Sequence, residues 1–235
     1  MNHTLSPKLH ILGILLFALV LYPIPYTLYP VSVVHAQDIT TGLVGHWKFD
    51  ETSGATATDS SGNNNTGALT NGPTWTTGKI GGAINLDGTN DYINAGSAAS
   101  LDNLPAVSIS LWAYPRTYGP FSYGRFAAKG IYLTPAFGGW TFGFQGGGYA
   151  GFNVPTSGTY VEATSAQNAI ALNQWQHIVI TWDGSLTGSN IKIYRDGVEV
   201  AYYSQTNGSG LRQDDSSYNF IIGDNNTHNV SFDGF

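Results

Sequence analysis

An all-β fold is what this sequence predicts, and three observations of composition point to its short strands and tight turns. Charged residues make up only 10% of the 235 residues, against roughly a quarter in an ordinary soluble domain. Glycine occurs 30 times, and glutamate, a common residue of helix surfaces, only three times, at Glu51, Glu162 and Glu199. Aromatic residues reach 13%, which suits short strands and tight turns and rules out a helical bundle or coiled coil. The net charge of −6 speaks against a nucleic-acid surface. The absence of cysteine excludes a disulfide framework, a thiolate metal site and a cysteine nucleophile.

The first segment reads as an address. Ile11 to Tyr22 is an apolar run of 12 residues, shorter than the roughly 20 a spanning helix needs. Pro23, Pro25 and Pro30 interrupt any continuation, and Val34-His35-Ala36 offers a cleavage site before Gln37. Residues 1–36 are therefore expected to be a signal peptide, which makes the protein secreted or cell-surface; an uncleaved anchor is the competing reading. No linker or repeat divides residues 37–235, which read as one domain.

Within it, Leu43 to Phe49 alternates, with Leu43, Trp47 and Phe49 on one side and His46 and Lys48 on the other. Asp59 to Gly67 has no apolar residue and is expected to be a loop. Ala83 to Leu86 and Tyr92 to Asn94 are short strands around the Asp87–Asp91 turn. Val107 to Tyr114 has a clear period of two, with Val107, Ile109, Leu111 and Ala113 facing one way. Gln176 to Trp182 repeats the pattern through Ile178, Ile180 and Trp182. Ile191 to Arg195 and Val198 to Tyr202 are joined by Asp196-Gly197, a pair suited to a type I′ turn. Asn219 to Gly223 adds another strand, and such a series of short strands makes the fold a β-sandwich or jelly roll.

Several motifs stand in a fixed order: Gly42 to Glu51, Asp59 to Gly62, Ala83 to Gly88 with Asp91 to Ile93, and Val107 to Trp112. Trp175 to Gly184, Ile191 to Gly197 and Phe232 to Gly234 complete the series. Together they resemble the laminin-G-like jelly-roll domains of the concanavalin A-like lectin/glucanase superfamily, over about Leu43 to Phe235. The resemblance implies an all-β, two-sheet antiparallel jelly-roll β-sandwich. Such domains usually continue past Phe-Asp-Gly into an acidic strand, so a missing C-terminal strand, and further domains of a larger protein, are expected here.

The superfamily contains hydrolases, but none of the three glutamates has the Glu-x-Asp-x-x-Glu context of its glucanases, and no other catalytic motif appears. A catalytic site in this chain is not expected. The resemblance also implies a structural Ca²⁺. Asp59, Ser61, Asn63 and Asn65 place oxygens at alternate positions, and Asp50, Glu51 and Asp233 fall in motifs that resemble the family's metal region. The candidate ligands are Asp50, Glu51, Asp59, Asn63 and Asp233, with turn-forming hydrogen bonds as the plainer role for such residues.

For sugar recognition the sequence offers aromatic residues in Gly-rich loops, whose faces can cover the C–H face of a pyranose. Tyr118, Tyr123, Trp140 and Tyr149 are the candidate ligand-binding residues. Trp47, Trp112, Trp175 and Trp182, and Phe142 with Phe144, read as core. The expected function is a secreted, non-catalytic carbohydrate-binding or adhesion module whose partner is a polysaccharide or cell-surface glycan. A structural or protein-binding module of the cell envelope is one alternative. An accessory domain of a glycoside hydrolase, with its catalytic part outside this chain, is the other.

Overall fold

A computed structural model describes residues 40–131 and 138–235. The leader expected over residues 1–36 lies outside the described residues. Ile39–Phe235 is one unit, distinct from Met1–Asp38. The described residues form sixteen strands and two single turns of 3₁₀ helix.

In chain order the strands are β1 (Thr56–Ala57), β2 (Gly67–Thr70), β3 (Thr74–Thr77), β4 (Gly82–Asp87), β5 (Tyr92–Asn94) and β6 (Val107–Ala113). They continue with β7 (Arg125–Gly130), β8 (Gly139–Phe144), β9 (Ala150–Val154), β10 (Val161–Ser165) and β11 (Gln176–Trp182). The last five are β12 (Lys192–Arg195), β13 (Val198–Glu199), β14 (Tyr202–Thr206), β15 (Phe220–Ile222) and β16 (Asp233–Gly234). One antiparallel sheet has the order β1-β2-β5-β15-β7-β8-β9-β10-β14. Two smaller sheets, β13-β12-β11-β6 and β16-β4-β3, make the second layer. They are stitched together where Tyr114 and Phe235 exchange both backbone hydrogen bonds (2.9 and 3.2 Å) and Pro115 bridges Gly234.

The strands form where the sequence alternates. In β11, Ile178, Ile180 and Trp182 are buried while His177, Val179 and Thr181 are not. They pack across to the large sheet, where Trp182 lies 6.0 Å from Phe152. Asp196 and Gly197 both take positive φ (52° and 81°), so the β12–β13 hairpin closes through the expected type I′ turn. Phe142 and Phe144 are fully buried, as their shared strand face predicts.

Three expectations need correction. Leu43–Phe49 is not a strand: only Trp47 bridges to Asp59, and Phe49 turns to a φ of 58°, which breaks an extended run. Trp47 still reaches the core, stacked 5.2 Å from Phe220. Trp112 is 39% exposed, because it shares the outward face of β6 with Ser108 and Ser110. Trp175 packs on Tyr114 and Phe235 rather than between the layers.

A tyrosine-lined glycine turn as candidate functional site

β8 and β9 are joined by Gln145–Tyr149, whose Gly146, Gly147 and Gly148 all have positive φ (85°, 53° and 83°). Three consecutive left-handed residues are affordable only for glycine. The turn is closed by Gln145 N–H donating to Tyr149 O (2.7 Å) and Tyr149 N–H donating to Gly146 O (3.0 Å).

Neighbouring loops clasp it. Gly146 N–H donates to Ser122 O (2.7 Å), Gln167 Nε2 donates to Gly147 O (2.6 Å), and Asn168 N–H donates to Gly148 O (2.8 Å). A tyrosine leans on each glycine: a Cβ built on Gly146 would meet the Tyr123 hydroxyl at 3.4 Å, on Gly147 the Tyr149 ring at 3.4 Å, and on Gly148 the Tyr118 ring at 2.9 Å. The structure thus gathers Tyr118, Tyr123 and Tyr149, all half-buried, from three points of the sequence.

Their roles differ. Tyr118 is anchored, its hydroxyl donating to Asn168 Oδ1 (2.6 Å) and its ring edge-on to Phe144 at 5.0 Å. The Arg125 guanidinium sits 5.7 Å from the Tyr123 ring. Tyr149 lies 5.1 Å from Tyr203, which is 73% exposed and was not foreseen.

Trp140 does not belong to this site. It is 2% exposed, 5.8 Å from Phe152 and 5.6 Å from Phe220. Along β8 it shares the inward face with Phe142 and Phe144, so its ring has no free surface for a sugar.

The opposite face of β8 is polar. Thr141 pairs with Asn153 and Gly143 with Gly151 across to β9; Glu162 and Thr164 of β10 face Asn153 and Gly151 in turn. Asn153 Nδ2 donates to Thr141 Oγ1 (2.8 Å), and Thr164 Oγ1 donates to Glu162 Oε1. The two paired glycines leave room that two long side chains occupy: a Cβ on Gly143 would come within 3.0 Å of Arg125 Cδ, and one on Gly151 within 2.7 Å of Gln145 Cγ. Burial raises the Glu162 carboxyl above its ordinary range, against the opposing pull of the Thr164 hydroxyl and the Arg125 charge. Gln145 has both amide atoms, Oε1 and Nε2, buried without a hydrogen-bond partner. An amide withheld from water and from protein partners costs roughly 1–3 kcal/mol for each unmet group, a cost a bound ligand can remove.

The five expected calcium ligands do not converge. Asp59 is saturated from within: its carboxylate accepts His46 N–H (2.8 Å), Ser61 N–H (2.9 Å), Ser61 Oγ–H (2.8 Å) and Asn65 N–H (2.9 Å). These bonds outweigh the effect of its burial and hold its pKa below the usual carboxylate range. Asn63 is used to tie the loop to Leu43 O (2.9 Å). Asp233 pairs with Arg116 (2.6 Å) beside Asp87, its partner in β4. Asp50 instead accepts Gly82 N–H (2.8 Å) at the other end of β4, roughly 16 Å away at about 3.3 Å per strand residue. One ion cannot bridge that span. Asp50 and Glu51 do share a cleft of about 530 Å³ with Trp75, and Glu51 Oε2 is buried there without a partner. Among the described residues no three His, Cys, Asp or Glu side chains are grouped as a metal site.

A family model, Laminin_G_3, described as the concanavalin A-like lectin/glucanases superfamily, matches residues 87–235. No curated protein matches the sequence. Among solved structures the chain is similar to domain 4 of AbnA, a GH43 extracellular arabinanase from Geobacillus stearothermophilus, in complex with arabinotriose. The TM-score is 0.57 at 21% identity, over 82% of this chain and 87% of that one. It is also similar to the binding domain of Paraclostridial Mosquitocidal Protein 1, with a TM-score of 0.54 at 17% identity, over 84% of this chain and 49% of that one. At these identities the likeness is one of fold.

Proposed function

The chain belongs to the concanavalin A-like lectin/glucanases superfamily, and from that premise we propose that residues 37–235 form an extracellular, non-catalytic carbohydrate-binding module. The observation that carries this reading is the unpartnered amide of Gln145, placed between a tyrosine-clasped glycine turn and a polar, glycine-floored strand face. Amides, carboxylates and hydroxyls at that spacing suit a hydroxyl-rich ligand, and aromatic rings beside them suit its C–H faces. The arabinotriose held by the arabinanase domain supports a glycan as the class of partner.

The test is binding of residues 37–235 to a glycan array, followed by titration calorimetry with arabinotriose, xylotriose and cellotriose. A ligand bound by the wild type and weakened by Gln145→Ala supports the reading; no binding to any glycan removes it. For calcium the proposal narrows to Asp50 and Glu51, without Asp59, Asn63 or Asp233. Equal melting temperatures with calcium and with chelator would end it.

A further inference from the structure

The aromatic residues with the most exposed rings at the glycine turn are not the four singled out as candidates from the sequence. Phe121 is 89% exposed and Tyr203 73%. Both are pushed outward by a local departure from regular backbone. Phe121 has a φ of 51° and Ser122 a φ of 66°, two consecutive left-handed residues that are not glycine. That conformation is unfavourable for an aromatic side chain and persists only where its surroundings impose it. Here they do: Ser122 N–H donates to Gly119 O (2.9 Å), Tyr123 N–H to Pro120 O (2.9 Å) and Gly124 N–H to Tyr118 O (2.7 Å), while Ser122 O accepts Gly146 N–H. Tyr203 is displaced by other means. Thr164 pairs with Ser204 and Ser165 with Tyr202, so Tyr203 is the extra residue of a β-bulge. Bulges re-aim side chains, and this one turns the ring away from the strand to lie against Tyr149.

The two irregularities are far apart in sequence and different in kind, yet they flank the same turn. Phe121 is tied to it through Ser122 and Gly146; Tyr203 is tied to it through Tyr149, whose ring borders Gly147. An exposed phenylalanine does no packing for the fold, and the strain beneath it brings no stability. We propose that Phe121 and Tyr203 are the two aromatic walls of the ligand site, holding the C–H faces of a glycan chain laid across Gly146–Gly148, with Tyr118 as a brace of the turn. This inference rests on the carbohydrate-binding reading and assigns that site's stacking contacts.

The experiment uses residues 37–235 and the tightest binder among arabinotriose, xylotriose and cellotriose, comparing Phe121→Ala, Phe121→Gly, Tyr203→Ala and Gln145→Ala by calorimetry and thermal melting. Each aromatic truncation is expected to weaken binding about tenfold, the loss of one stacking contact of about 1.4 kcal/mol, with the melting temperature held. Phe121→Gly separates function from structure most sharply, because glycine tolerates the positive φ: affinity falls while the melting temperature stays level or rises. Wild-type affinity in Phe121→Ala and Tyr203→Ala, with Gln145→Ala weakened, would overturn the aromatic walls and leave the carbohydrate-binding reading standing. A drop in melting temperature in Phe121→Gly would also overturn the assignment, by making the ring a structural part. Absence of glycan binding by the wild type overturns both.

Discussion

The loop around Asp59 and the turn around Gly147 are both polar, glycine-containing connections, but their hydrogen-bond accounts are opposite. In the first, one carboxylate collects three backbone N–H groups and a hydroxyl, and Asn65 adds bonds from its Nδ2 to Val44 O (2.7 Å) and Ser100 Oγ (3.1 Å). That carboxylate is fully committed to the fold. In the second, backbone bonds clasp the turn but the Gln145 amide has no partner, and strained or bulged backbone holds aromatic rings in solvent. A saturated polar cluster holds a fold together; an unsaturated one beside displayed aromatics is built to receive something.

The comparison is sharpened first by Trp140, which lies on β8 only a few residues from the turn yet belongs to the core. Trp140→Ala is expected to cost about 3–5 kcal/mol, a fall of roughly 6–20 °C in melting temperature for a domain of this size. A folded variant of wild-type melting temperature would move Trp140 out of the core. Next comes Asp59→Ala, which strips several charge-assisted hydrogen bonds from the loop. A loss of about 3 kcal/mol is expected, with glycan affinity unchanged in the fraction that folds. Loss of binding without loss of stability would break the contrast between the two regions.

Gln145→Ala should do the reverse. It weakens glycan binding about tenfold, a loss of about 1.4 kcal/mol, while stability holds or rises, since an unmet buried amide is removed. A clear fall in melting temperature would mark Gln145 as structural. The smallest effect is on pH dependence. Asp59 has a folded pKa below its unfolded value, so its contribution is complete above the ordinary carboxylate range and is lost as pH falls through the folded value. Glu162 has a folded pKa above its unfolded value, so stability is lost as pH rises through it. Glu162→Gln should therefore gain on the wild type at neutral pH and lose that advantage in acid. Parallel melting curves against pH for the two proteins would show that Glu162 carries no such strain.

Much of the fold was legible because period-two alternation and turn chemistry are local. Gln176–Trp182 buries the residues its spacing assigns, Val107–Ala113 turns its apolar residues to the less exposed face, and Asp196-Gly197 closes the expected hairpin. The same rule, applied along Trp140-Thr-Phe-Gly-Phe144, places Trp140 with Phe142 and Phe144 inside; a Gly-rich neighbourhood drew attention to the tryptophan while the strand's own period already decided its face. Likewise Trp112 shares its side of β6 with two serines, and its exposure follows.

By itself the sequence determined an all-β sandwich and the β6, β11 and β12–β13 strands of its second layer, since each follows from neighbours within a few residues. Which polar groups are already satisfied was decided only by tertiary structure. Asp59 meets His46 across 13 positions, Tyr118 meets Asn168 across 50, and Arg116 meets Asp233 across 117. The outward turn of Phe121 and Tyr203 likewise depends on hydrogen bonds and strand register set by distant partners. A side chain's availability for a ligand is what remains after such long-range pairing, and no local pattern carries it.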